Sequence, residues 1–285
     1  MKKIFVFIFL LTLNCLAFSQ QIEAYNIFNA KSQKITINKM LKNLEKADII
    51  LFGEYHNNPI SHWLEYEVAN YLINKKKKIV LGAEMFEADN QDILNRYLNF
   101  EIDDKAFDTL ARLWPNYKTD YSPLVLLAKR TKTKFIATNI PRRYAAMVHK
   151  GGFEALDSLS KEEKQWMADL PIEYEAELPG YKAMLNMKMG HGSENLPKAQ
   201  AIKDASMAYF INKHLDKNHI FLHINGAYHS NNYEGIYWYL KRINPELNII
   251  TITTISQTKT NKLEKENQGI ADFTICVNEN MTATY

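Results

Sequence analysis

Five short apolar runs, at residues 47–52, 78–82, 135–138, 220–224 and 249–254, are rich in β-branched residues, and all but the last lead into polar residues and a helical pattern. Strands alternating with helices predict an α/β fold in which a largely parallel central sheet is flanked by helices. The helices are legible from their period. Trp63, Tyr66, Glu67, Asn70 and Tyr71 recur after Ser61, and Leu124, Leu127 and Ala128 recur after Ser122, with Ser61 and Ser122 as N-caps. Further helices are predicted over residues 198–214 and 235–242, and a final strand follows the charged stretch 258–269.

One segment breaks this rhythm. Residues 169–196 carry Pro171, Pro179, Gly180, Gly190 and Gly192 among Tyr174, Tyr181, Met184, Met187, Met189 and His191. A long irregular stretch inside a compact domain is more often a lid or ligand loop than an accident, so a lid insertion is expected there. The Lys75-Lys76-Lys77-Lys78 run falls between a helix and a strand and reads as a solvated turn.

The first residues have the pattern of a secretory signal: Lys2 and Lys3, an apolar run over 4–13, and small residues up to Ser19. Cleavage there leaves a single domain over residues 20–285. The rival reading is a lipoprotein signal, with Cys15 lipidated and holding the chain at a membrane surface. Either way the apolar run is too short for a permanent transmembrane helix, and the expected location is periplasmic or at a membrane surface. Loss of Lys2 and Lys3 brings the formal net charge of +3 close to neutrality, which excludes a nucleic-acid binder driven by bulk charge. Cleavage also leaves Cys276 as the lone cysteine, so the core rather than a disulfide must stabilise the domain. Cys276 itself lies in an apolar stretch and reads as a buried strand residue.

Four of the strands end in polar motifs: Gly53-Glu54-Tyr55-His56, Gly82-Ala83-Glu84-Met85-Phe86, Asn139-Ile140-Pro141-Arg142-Arg143 and Asn225-Gly226-Ala227-Tyr228-His229. In a parallel sheet these ends share one edge, where open α/β folds bind ligands, so Glu54, His56, Glu84, Asn139, Arg143 and His229 are expected to converge. Two carboxylates and two imidazoles suit a divalent metal ion, with a remaining carboxylate as general base on metal-bound water. The bland alternative is an ion-pair network of Glu54 and Glu84 with Arg142 or Arg143, with the two histidines capping helices. His62, His149, His214 and His219 read as surface or structural residues, and His223 as a hydrogen-bonded core imidazole.

The irregular segment allows a different chemistry. Haem needs an apolar slot, an axial tyrosine or histidine, and cations for its propionates. The segment offers Tyr174, Tyr181 and His191, and Arg142 and Arg143 supply cations; simple packing over the sheet explains the same residues.

Taken in order, the motifs resemble the ChaN-like haem-binding lipoproteins, and more distantly the Tiki, TraB and erythromycin-esterase group. The matching pieces are Phe52-Gly53-Glu54-Tyr55-His56; Glu84-Met85-Phe86 with Gln91; Trp114 and Tyr121-Ser122-Pro123-Leu124; Asn139-Ile140-Pro141-Arg142 with Gly151-Gly152; His191 with Ala199-Gln200 and Asp204-Ala205-Ser206-Met207-Ala208; and Asn225-Gly226-Ala227-Tyr228-His229. The last departs from the family's Gly-x-Gly-His-like turn. The resemblance implies an extracytoplasmic α/β domain that binds haem in iron acquisition, as a homodimer holding haem between protomers and in contact with outer-membrane haem uptake machinery. It also implies a tyrosine ligand, for which Tyr174 and Tyr181 are the candidates, and histidine contact to a propionate. The wider group implies the competing function, a hydrolase acting through Glu54, His56, Glu84 and His229, with or without a divalent metal ion.

Overall fold

The structure, a computed structural model, describes residues 23–185 and 194–285. One sheet contains β1 (Tyr25–Asn29), β2 (Lys34–Ile35), β3 (Ile49–Glu54), β4 (Ile79–Glu87), β5 (Lys134–Asn139), β6 (Ile220–Gly226), β7 (Ile249–Gln257) and β8 (Phe273–Asn278). Their order is β2-β1-β8-β7-β3-β6-β4-β5. From β8 to β5 every pairing is parallel, while β1 runs antiparallel to β8 and β2. The five apolar runs are β3 to β7, and the expected final strand is β8. Cys276 is buried within it, and burial pushes its thiol up to about 12.

The helices among the described residues are α1 (Ile37–Leu44), α2 (Pro59–Asn74), α3 (Gln91–Leu98), α4 (Asp104–Leu110), α5 (Ser122–Thr131), α6 (Arg142–Gly151), α7 (Lys161–Lys164), α8 (Pro179–Leu185), α9 (Leu196–His214) and α10 (Ile236–Ile243). They cover both faces of the sheet. Because alternate strand residues point to opposite faces, Ile50 and Phe52 of β3 pack with Leu64 and Val68 of α2 and Leu124 of α5, whereas Ile49 and Leu51 pack with Met207 and Ile211 of α9 and Leu240 of α10.

Two local expectations are corrected. The N-cap of α2 is Asn58, whose side chain accepts from the Ile60 and Ser61 amides ahead of a proline in the first turn, so Ser61 lies inside the helix. Ser122 likewise is the first residue of α5 rather than its cap. The buried face of α2 runs through His62, Leu64, Glu65, Val68 and Leu72, leaving Trp63 exposed.

Residues 169–196 carry α8, and its Tyr181 and Met184 pack against Ala201 of α9. His191, the signal segment over 1–19 and Cys15 lie outside the described residues. No helix among the described residues is long and apolar enough to cross a membrane.

The register fixes where the polar motifs emerge. Glu54 stands opposite Gly226, and Ala83 pairs with both Ile224 and Ala137. Glu84, Asn139 and Gly226 therefore leave the sheet at one edge, together with Glu54.

Candidate functional site

That edge opens into a cavity of about 690 Å³. His56, Glu84, Asn139 and His229 line it from the strand ends, and Trp114 and Arg142 come from the surrounding loops and α6. The expected convergence of the strand-end motifs is therefore present, with each group held by a different neighbour.

Glu54 is buried, and its Oε1 accepts from the Tyr121 hydroxyl at 2.8 Å and lies 2.7 Å from His56 Nδ1. Burial works against the charge of Glu54, but the contacts to His56 and His62 outweigh it and hold the carboxyl down at about 2. His56 answers in kind: burial favours its neutral form, yet Glu54 and Glu84 raise its pKa. The ring packs edge-on against Trp114 with centroids 4.9 Å apart, and the His56 carbonyl accepts from Asn116 Nδ2 at 2.8 Å. Room for the ring depends on Gly226, because a Cβ there would sit 2.7 Å from His56 Nε2.

Across the cavity, Glu84 Oε2 accepts the Gly226 amide at 2.8 Å and Oε1 lies 3.1 Å from His229 Nε2. His229 Nδ1 is hydrogen-bonded to Asp204, with the Gln200 side-chain amide 2.9 Å from the same nitrogen, and Asp204 Oδ2 accepts from the Tyr181 hydroxyl at 2.8 Å. Burial opposes the His229 charge, but Glu84 and Asp204 prevail and raise it to about 10. Glu84, despite its burial, is held below the usual carboxylate range by His229 and His56. Burial pushes Asp204 the other way, above its usual range.

Of the two arginines expected here, Arg142 lines the cavity, whereas Arg143 turns to Asp89 at 2.8 Å and the Tyr144 hydroxyl at 3.2 Å. Tyr181 is 4% exposed, and burial together with the Asp204 charge pushes its phenol far above the ordinary range. Tyr174 stacks on Tyr181 with centroids 5.8 Å apart. Neither lines the cavity. The phenol that does is Tyr285, brought there by a C-terminal stretch in which Thr284 donates to the Asn57 carbonyl at 3.0 Å and to Asp120 at 2.7 Å.

His223 is the core imidazole expected: Nε2 lies 2.7 Å from Thr138 Oγ1, Nδ1 lies 3.1 Å from Asn225 Oδ1, and burial lowers it to about 4. His62, expected as a surface or structural residue, is not on the surface. It is buried beside Glu54, Glu65 and Asp120, and although burial opposes its charge, Glu54 and Glu65 raise it to about 11. Burial and the Glu54 charge push Glu65 well above its usual range. His62 and Glu65 share a helix face three residues apart, a spacing that does not by itself distinguish a buried pair from a solvated one. Asp204 entered the sequence reading only within the motif Asp204-Ala205-Ser206-Met207-Ala208. Asp120 and Tyr121 are presented by a π-helical turn over Tyr117–Tyr121, a geometry frequent at functional sites that no residue pattern announces.

The arrangement is suited to holding a ligand with an apolar body and anionic groups. Trp114, Leu113 and Ile140 supply apolar wall, and Arg142 and Lys203 supply positive charge, while Arg112 is paired with Glu87 and Asp89. Glu54 and Glu84 fix the imidazoles from behind.

A profile of the family described as haem-binding uptake, Tiki superfamily, ChaN matches residues 40–240. Among solved structures, ChaN of Campylobacter jejuni, described for cofacial haem binding, is 18% identical over 88% of this chain and 96% of its own, with a TM-score of 0.66. A Bacillus cereus protein is 13% identical over 89% and 95% of the two chains, with a TM-score of 0.52. At these identities the likeness establishes the fold. No match was found among the curated proteins.

Proposed function

Since the chain belongs to the ChaN family of haem-binding uptake proteins in the Tiki superfamily, we propose that it binds haem in the strand-end cavity and serves haem or iron uptake. The observation that carries this reading is the cavity itself. Its volume of about 690 Å³ is in the range of roughly 300–1,000 Å³ usual for cofactor pockets, and it joins an aromatic and aliphatic wall to a cationic rim. Those features match the demands of a flat apolar macrocycle with two carboxylates. Arg142 and Lys203 would hold the propionates, and Trp114 would cover the ring.

Bound haem supplies a ferric centre that takes an axial donor, and two side chains of the wall offer one: the Tyr285 phenol and the His56 imidazole. Glu54, at 2.7 Å from His56 Nδ1, orients that ring and keeps its other nitrogen available. On this reading the protein works outside the cytoplasm after removal of its N-terminal segment, in the periplasm or at a membrane surface, pairs with a second copy on haem binding, and exchanges its cargo with outer-membrane uptake machinery.

Haemin titration followed by visible absorption tests the proposal. A saturable Soret shift is expected, and Tyr285→Phe or His56→Gln should alter the ferric spectrum. Absence of any saturable shift overturns haem binding. Wild-type spectra in both variants would keep the cavity as the site but remove these two residues as ligands.

A further inference from the structure

Glu54 faces two ways. Its Oε1 is taken by Tyr121 and His56, but Oε2, although buried, accepts no hydrogen bond. Opposite it stand His62 and Glu65 on one face of α2. Glu54 Oε2 is 3.1 Å from His62 Nδ1, and Glu65 Oε2 is 3.6 Å from the same nitrogen. The three side chains are 0%, 6% and 1% exposed. Both His62 nitrogens and Glu65 Oε1 also lack a hydrogen bond. Buried polar groups are almost always satisfied, so several orphaned atoms around one point call for a partner that protein atoms do not supply.

The spacing identifies that partner. One donor atom from each of the three residues lies within 4.8 Å of the others, and among the described residues no other such group comes together. Separations of 3.1 and 3.6 Å are those of donors sharing one ion at about 2.0–2.2 Å each. Both carboxylates stand near Nδ1 without making a hydrogen bond to it. On the other side of the ring, Asp120 Oδ2 lies 3.4 Å from Nε2 and is itself held by Asn116 and Thr284. A carboxylate near the far nitrogen is the usual support of a ligating imidazole, since it favours the tautomer protonated there and leaves the near nitrogen free to bind. A second cavity, of about 350 Å³, is lined by His62, Trp63, Asp120 and Thr284 and reaches the Asp120 side of the ring.

We propose that Glu54, His62 and Glu65 form a binding site for a divalent transition-metal ion of the zinc or manganese class, distinct from the haem cavity and joined to it through Glu54. Two carboxylates and one imidazole suit these ions. The ion ties α2 to the end of β3 and fixes the carboxylate that orients His56.

The test is metal counting on the full, haem-free protein, stripped with chelator and dialysed against Zn²⁺ or Mn²⁺. About one equivalent per chain is expected, with Glu65→Gln and His62→Gln each weakening binding by about tenfold or more. X-ray absorption on the zinc-loaded wild type is the second measurement, independent of any folding defect in the variants. A shell of oxygens with one imidazole supports the site. A shell with two imidazoles assigns the ion to His56 and His229 and overturns it, as does wild-type protein that retains neither metal.

Discussion

His229 has one ring nitrogen 3.1 Å from Glu84 and the other hydrogen-bonded to Asp204, with His56 and Lys203 as the nearby positive groups. Its folded pKa, raised to about 10, lies above that of a free imidazole. The sign follows directly: the stabilisation is complete below about pH 6.5 and is lost as pH climbs toward the folded value. Denaturant midpoints of the wild type are therefore expected to fall between neutral pH and about pH 10. His229→Gln should start lower at pH 6.5, by on the order of 3–5 kcal/mol, because it leaves buried carboxylates unpaired, and should fall less steeply. Part of the slope should persist in the metal-free variant, since there His62 titrates in the same sense up to about 11. An unchanged slope would mean that His229 is not held as an imidazolium. At this scale Glu84 and His229 were legible because each follows an apolar run, where a polar residue has no packing role. His62 and Glu65 were not, because on a helix the same residue types usually mark the solvent face.

The central strands were the legible elements, and Gly82 of β4 shows why they are demanding. Strands covered on both faces must be apolar throughout, so β3, β4, β6 and β7 announce themselves as continuous runs. Within such a sheet a missing side chain also carries meaning. A Cβ on Gly82 would lie 2.6 Å from Phe221 Cε1 and 3.2 Å from Thr138 Cγ2, and Phe221 is fully buried and cannot swing aside. Gly82→Ala is expected to destabilise the domain by about 1–3 kcal/mol through overpacking, read from chemical denaturation. A loss below about 0.5 kcal/mol would show that the β4–β6 contact has slack. The edge pair β1 and β2 left little trace in the sequence, since short half-polar segments have no run to detect. In α2 the period was read correctly and the phase was not. Hydrophobicity pointed to Trp63 and Tyr66, whereas the face turned to the sheet holds His62 and Glu65 beside Leu64 and Val68. A helix that buries a polar cluster defeats any reading that equates inward with apolar.

For the molecule as a whole, an α/β domain with its site at the strand ends was foreseeable from the order of motifs, because parallel connectivity leaves few other places for them to meet. The arrival of Tyr285 at the cavity depends on hydrogen bonds from Thr284 across the whole length of the chain, which no local pattern encodes. The same view of the whole bears on assembly. Tyr55 and Tyr228, next in sequence to His56 and His229, are 41% and 46% exposed and leave aromatic surface beside the cavity. A planar macrocycle seated there has two faces, and one chain's wall, built around Trp114, covers one. A second copy bringing its own haem would cover the other and bury the tyrosines, in line with the proposed homodimer. Sedimentation velocity is expected to give the mass of one chain without haem and of two with it. Tyr55→Ser combined with Tyr228→Ser should weaken the pairing while leaving the Soret shift saturable. If the loaded protein stays a single chain at saturating haemin, the pairing is wrong and the haem site stands alone, because the cavity and its cationic rim are complete within one chain.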